Sequence, residues 1–222
     1  MRVLGVDGAK GGWVVVALED GRFVGSTFAE SFSEVLADDA AVIGVDIPLG
    51  EVLPGRRRAE ALARTWITPR HSSVFTPPPL AAGDAATYEI AKSIAHELTG
   101  KKITQQAWNL LPKVLEVTPH WQADSERIRE VHPECAFRAM CGGPLHTKKK
   151  DWSGLVQRLR ALRDHGIDLV DPSHSVAGAR PDDVVDAAAV AWSAHRVATG
   201  RAASLPDPPE RDADGRAVAI WY

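Results

Sequence analysis

No apolar run in this chain approaches the roughly 20 residues that a membrane-spanning helix needs, so no membrane role is expected. Cysteine is scarce. The two present, Cys135 and Cys141, match no zinc or redox spacing and read as reduced thiols. The first apolar run begins at residue 2, which leaves no room for a leader, so the expected location is cytoplasmic. An excess of positive charge is missing too: Lys and Arg number 26 against 29 Asp and Glu, for a net charge of −3. A protein that grips nucleic acid mainly through charge would be basic. Any polyanionic partner must therefore meet a local basic patch or a bound metal. There is no internal repeat and no P-loop. Gly5-x-x-Gly8-x-x-Gly11-Gly12 lacks both the Gly-Lys-Ser/Thr ending and the strand-loop-helix setting that a P-loop requires. At 222 residues the expectation is one domain, 1–222.

Two short hydrophobic runs each end on an aspartate. One is Arg2 to Val6 followed by Asp7; the other is Ala41 to Val45 followed by Asp46. Continuous apolar runs bounded by turn residues read as strands buried on both faces. A buried strand of an open α/β sheet delivers its terminal carboxylate to the edge where such sheets place their chemistry. Between the two runs, Gly12 to Leu18 and Arg22 to Phe28 read as strands joined by the Asp20-Gly21 hairpin signal. Ser31-x-x-Glu34 fits a capping box for a short helix through Leu36. The predicted order is three antiparallel strands, a helix, then a strand that returns beside the first.

From about 50 to 127 the pattern is helical: Gly55 to Trp66, Asp84 to Leu98 closed by Gly100, and Thr104 to Glu116, kinked or interrupted near Pro112. This stretch reads as a helical insertion on the core. Ile128 to Val131 is the expected fifth strand, Trp152 to His165 a helix stopped by Gly166, and Pro181 to Thr199 the clearest helix in the chain. Ser204 to Gly215, rich in Pro and Asp, is expected to be loose.

On that last helix Asp183 and Asp186 are three apart and share a face. An acidic first turn suits the helix dipole and accounts for Asp182. Asp186 opens an Ala-rich, buried-looking face, where an unpaired carboxylate is rare and a metal is one usual remedy. With Asp7, Asp46 and Glu134, these residues form an all-oxygen set suited to Mg2+ or Mn2+ rather than zinc. A pair of such ions clamps the attacking and leaving oxygens in phosphodiester cleavage. Asp7 is the natural bridging ligand, and Asp46 and Asp186 the outer ones. The runs Arg56-Arg57-Arg58 and Lys148-Lys149-Lys150 offer phosphate contacts, the second being better placed because it follows the fifth strand closely. His132 is placed to orient a water or leaving group.

The strand order with Asp on its first and fourth strands resembles the ribonuclease H fold. The Asp-x-x-Asp-Ala opening at Asp183 to Ala187 resembles the Holliday-junction resolvase branch of that superfamily. More closely, the chain resembles the bacterial and archaeal family DUF429, described as ribonuclease H-like nucleases on sequence grounds. The matching segments are Gly5 through Trp13, Gly44 to Gly50, Ser72 to Phe75, Gln105 to Trp108, Glu130 to Glu134, Lys148 to Lys150, Asp182 through Trp192 and Asp214 to Tyr222. The resemblance implies an α/β fold: a ribonuclease H-like mixed five-stranded sheet flanked by helices, with the insertion between strands 4 and 5. It also implies a metal-dependent nuclease with Asp7, Asp46, Glu134 and Asp186 catalytic, Asp183 in the metal shell, and Lys148, Lys149, Lys150 and His132 toward a DNA or RNA substrate. Asp46 stands where many ribonuclease H enzymes carry Glu. Two alternatives remain. One is a non-catalytic nucleic-acid or nucleotide-binding module on the same fold. The other is a relative of the actin-like phosphotransferases, whose phosphate hairpin Asp7-Gly8-x-x-Gly11-Gly12 resembles.

Overall fold

Three consecutive antiparallel strands open the chain: β1 (Arg2–Ala9), β2 (Gly12–Glu19) and β3 (Arg22–Ala29). The computed structural model describes residues 1–169, 176 and 179–222. Asp20 and Gly21 turn the second hairpin with φ of 49° and 78°, the left-handed pair that matches the twist of its flanking strands. Helix α1 (Phe32–Leu36) leads into β4 (Val42–Val45), which lies parallel to β1, and β5 (Ile128–Glu130) lies parallel to β4. The sheet order is β3-β2-β1-β4-β5. β4 is buried along its whole length, as a parallel strand covered on both faces must be.

Alternate residues of the sheet feed two cores. Leu4, Val6, Ile43 and Val45 face one layer with Phe32, Leu111, Val114 and Trp121. Val3, Val14, Val16 and Val42 face the other, with Phe137, Leu162 and the alanines of the last helix. Between β4 and β5 the described elements are helical only: α2 (Ala59–Trp66), two short 3₁₀ turns, α3 (Tyr88–Thr99) and α4 (Gln105–Ala123). Thr87 and Thr104 cap α3 and α4 by accepting from the Ile90 and Ala107 N–H groups. The second layer holds α5 (Pro133–Cys141), α6 (Trp152–Asp164) and α7 (Pro181–Ala198). Among the described residues no helix is long and apolar enough to cross a membrane.

Three local expectations are corrected. Pro112 does not interrupt α4, which runs through both Pro112 and Pro119. Both prolines sit on its exposed side, where the carbonyls they leave unbonded can face water, while Ala107, Leu111, Val114, Val117 and Trp121 anchor the opposite side. Residues 204–211 are not loose: β6 (Ser204–Arg211) pairs with β7 (Ala217–Trp221) in a second, two-stranded sheet. Its register jumps between Leu205 and Glu210, so Pro206, Pro208 and Pro209 fall in the irregular segment where a missing N–H costs no ladder bond. Helix α5 was not expected. His132 caps it, Pro133 takes its first position and Gly142 ends it at φ 66°.

Candidate functional site

Asp7 and Asp46 meet because of strand register. Val6 lies opposite Val45 in the parallel β1–β4 ladder, and the Asp46 N–H donates to the Val6 carbonyl at 2.9 Å. The two aspartates therefore stand side by side at the carboxyl ends of neighbouring strands.

Asp186 arrives from α7, which lies almost directly on the strands. A Cβ on Gly5 would stand 2.1 Å from the Ala187 carbonyl oxygen and the Ala191 nitrogen; one on Gly44 would stand 2.9 Å from a Val190 methyl. Glycine on β1 and β4, facing buried alanines on α7, permits this contact. It brings Asp186, the residue before Ala187, to the same edge.

The three carboxylates act on one another. Burial, then the charges of Asp46 and Asp186, hold Asp7 well above the usual carboxylate range. Asp46 is enclosed by protein yet open to cleft solvent; burial pushes it up to about 7, against the opposing pull of Lys149 and with Glu134 adding to the rise. Burial pushes Asp186 up to about 6, again opposed by Lys149.

Lys149 is the cation of this edge. Its Nζ donates to Asp186 Oδ2 in an ion pair whose carboxylate is buried. Burial works to lower its pKa, but the charge and hydrogen bond of Asp186, with Asp7 and Asp46 behind them, outweigh this and raise it. Its neighbours Lys148 and Lys150 are exposed and stand outside this pairing.

The remaining expected residues have partners of their own. Glu134 Oε1 accepts from Arg158 Nη2 at 2.6 Å in a fully buried ion pair, yet its charge still reaches Asp46 and Asp186. Asp183 Oδ2 accepts from the Arg180 N–H at 3.3 Å and so closes the capping box that starts α7. His132 Nδ1 accepts from the Glu134 N–H at 3.2 Å, while Nε2 faces the Ser73 carbonyl at 3.3 Å. That arrangement requires the neutral Nε2–H tautomer, and burial pushes the His132 pKa down in agreement.

Two groups escaped sequence reasoning. Lys113 on α4 donates from Nζ to the Gly12 carbonyl at 2.6 Å, lies 3.8 Å above the Trp13 ring, and feels the charge of Asp7. Arg57 does not belong to a solvated basic patch. It is buried and grips Glu130 bidentately, Nη1 to Oε2 at 2.8 Å and Nη2 to Oε1 at 2.7 Å, while its Nε donates to Glu60 at 2.9 Å. Glu130 Oε2 also accepts from the Leu49 N–H at 2.7 Å. This cluster ties the insertion to β5 beside a cleft of about 140 Å³ lined by Asp7, Asp46, Glu60, Ser73, Glu130 and His132. The Glu60 spacing from Arg57 was readable as an i,i+3 pair; the partner on β5 was not.

Chemically, the edge is a carboxylate cluster with more negative charge than its one direct ammonium partner balances. Its oxygen donors suit a hard divalent cation. Among the described residues no group of three or more His, Cys, Asp or Glu side chains is set to hold a metal ion. Lys149 and Arg158 instead engage two of the candidate carboxylates.

The family described as "Protein of unknown function (DUF429)" matches residues 5–211, and the chain belongs to it. No curated protein and no solved structure matches the chain.

Proposed function

We propose that this protein is a metal-dependent nuclease on a ribonuclease H-like core, with Asp7, Asp46 and Asp186 as the residues that would hold Mg2+ or Mn2+. One observation carries the reading: three carboxylates from β1, β4 and α7 share one sheet edge, where burial raises the pKa of each and neighbouring carboxylates, Glu134 among them, add to the rise. Strongly perturbed carboxylate pKa values cluster at functional sites. The sheet order β3-β2-β1-β4-β5, with three antiparallel and two parallel strands, supports the fold reading. A divalent cation, when bound, neutralises a phosphodiester and acidifies water.

The chain's own groups do the rest. Asp7, central on β1, faces both other carboxylates. Lys149, paired with Asp186 here, would be available to a phosphate oxygen if a cation took its place on that carboxylate. Glu134, oriented by its ion pair with Arg158, adds negative charge behind Asp46 and Asp186. The α2–β5 clamp through Arg57 keeps the insertion beside the cleft.

A second reading, a non-catalytic nucleic-acid-binding module, draws on one feature: Lys149 already balances Asp186 without any metal. Labelled single-stranded and duplex DNA and RNA, incubated with Mn2+ or EDTA, separate the two. The nuclease reading expects Mn2+-dependent cleavage that Asp7→Asn and Asp46→Asn abolish. Binding with no cleavage above the level of those variants refutes it.

A further inference from the structure

The site proposed above leaves one conspicuous side chain unused. Trp152, the first residue of α6, is 77% exposed, and no other large apolar side chain among the described residues is as exposed. An indole is costly to leave in water, and Trp is enriched among the anchors of binding surfaces.

Its surroundings are built rather than incidental. Lys148, Lys149 and Lys150 precede it by two to four residues, and the Asp151 N–H donates to the Lys148 carbonyl at 3.0 Å, closing a tight turn. Gly154 lets that turn lie on the first turn of α6; a Cβ there would stand 1.9 Å from the Lys148 carbonyl oxygen. The relation between Lys148, Lys150 and Trp152 is thereby fixed by backbone. Beside the indole runs an open groove of about 480 Å³ with Gln157 and Arg160 on its wall. The charged residues of the groove itself are Arg160 and Asp164, and the exposed Lys148 and Lys150 lie on the turn just before the indole. The middle residue of the lysine run, Lys149, reaches into the carboxylate edge. Three residues of chain span at most about 11 Å, so the backbone positions of Lys149 and Trp152 lie within that distance of each other.

We infer that Trp152, with Lys148 and Lys150, is a stacking platform for an unpaired nucleotide, which makes a single strand or a single-stranded flank the substrate class of this site. In a duplex the base faces are covered by their neighbours, and only an unpaired base or an end offers a face to an exposed indole. Base–aromatic stacking is tolerant of sequence, and the flanking lysines meet the phosphates on either side. The inference rests on the nuclease reading only for the position of the scissile bond; binding to the platform does not need metal.

The test is fluorescence anisotropy in EDTA, with a fluorescein-labelled oligothymidylate and a duplex of the same length, for the wild type, Trp152→Phe, Trp152→Ala and Lys148→Gln/Lys150→Gln. Trp152 is on the surface, so circular dichroism should show all variants folded. The single strand should bind tighter than the duplex. Trp152→Ala should weaken that binding roughly 5- to 150-fold, the loss of one base–aromatic stack, and Trp152→Phe should stay within about 3-fold because the ring face remains. The double lysine variant should flatten the salt dependence by roughly 1.4 in log–log slope. Equal binding by Trp152→Ala and wild type, preference for the duplex, or no binding at all overturns the inference. So does a sedimentation result in which Trp152→Ala dissociates a dimer while binding is unchanged, which would make this face a contact between copies. Trp152-dependent binding without any Mn2+-dependent cleavage would sink the nuclease reading alone. Cleavage and binding that both ignore Trp152 would sink the platform alone.

Discussion

Replacing Asp46 by Asn should make the metal-free protein more stable at neutral pH, not less. Asp46 is held at about 7 against an ordinary 3.8. A carboxyl whose pKa is raised on folding lets the folded state bind more protons, so stability is fullest below about pH 4 and declines as pH rises toward about 7. The full difference is about 4 kcal/mol at roughly 1.4 kcal/mol per tenfold change in acidity. Solvent in the cleft screens the charge and brings the expected effect down to about 2 kcal/mol. For a chain of this size that corresponds to roughly 4–8 °C in Tm. Thermal melts from pH 5 to 8.5 in EDTA should therefore place Asp46→Asn above wild type at pH 8, with the gap shrinking toward pH 5. Manganese should reverse the order. Ions that bind only the folded cluster stabilise it by about 2.7 kcal/mol at a hundred times Kd, and the variant should lose most of that gain. An Asp46→Asn protein that melts below wild type at pH 8, or that shares its full manganese shift, would refute the reasoning.

Arg57→Met should cost about 3–5 kcal/mol in urea unfolding, because it strands Glu60 and Glu130 in the interior. The deficit should shrink on acidification, since burial already raises Glu130 and a proton would relieve it; a loss under about 1 kcal/mol contradicts the clamp. Gly5→Ala should destabilise by about 3 kcal/mol or more, because the added methyl meets backbone of α7 rather than a yielding side chain; a near-neutral melt would show that α7 can lift from β1. Lys149→Met should steepen the fall of metal-free stability between pH 4 and 8, because Lys149 is the group that lowers both Asp46 and Asp186. An unchanged slope in the same melts would remove Lys149 from the cluster.

The amino-acid sequence by itself determined the five strands of the main sheet, most helices and the identity of the acidic residues. The β1 and β4 runs, the Asp20-Gly21 turn, the glycine stop of α3 and the capped start of α7 are local signals, set by backbone preference and hydrophobic period over a few residues. Where local composition spoke against the outcome, tertiary contact won. Pro112 stays helical because one face of α4 is buried, and the prolines of β6 are tolerated because its ladder skips them. The site divides the same way. That Asp7 and Asp46 end neighbouring apolar runs and that Asp186 opens an Ala-rich helix face could be read from the sequence. That Lys149 pairs with Asp186, Arg158 with Glu134 and Arg57 with Glu130 could not, for these partners lie 37, 24 and 73 residues apart. Charge pairing depends on distance in space, which sequence separation does not encode; only the packing of α7, α6 and α2 around the sheet decided which carboxylates are already neutralised and which are left strained at its edge.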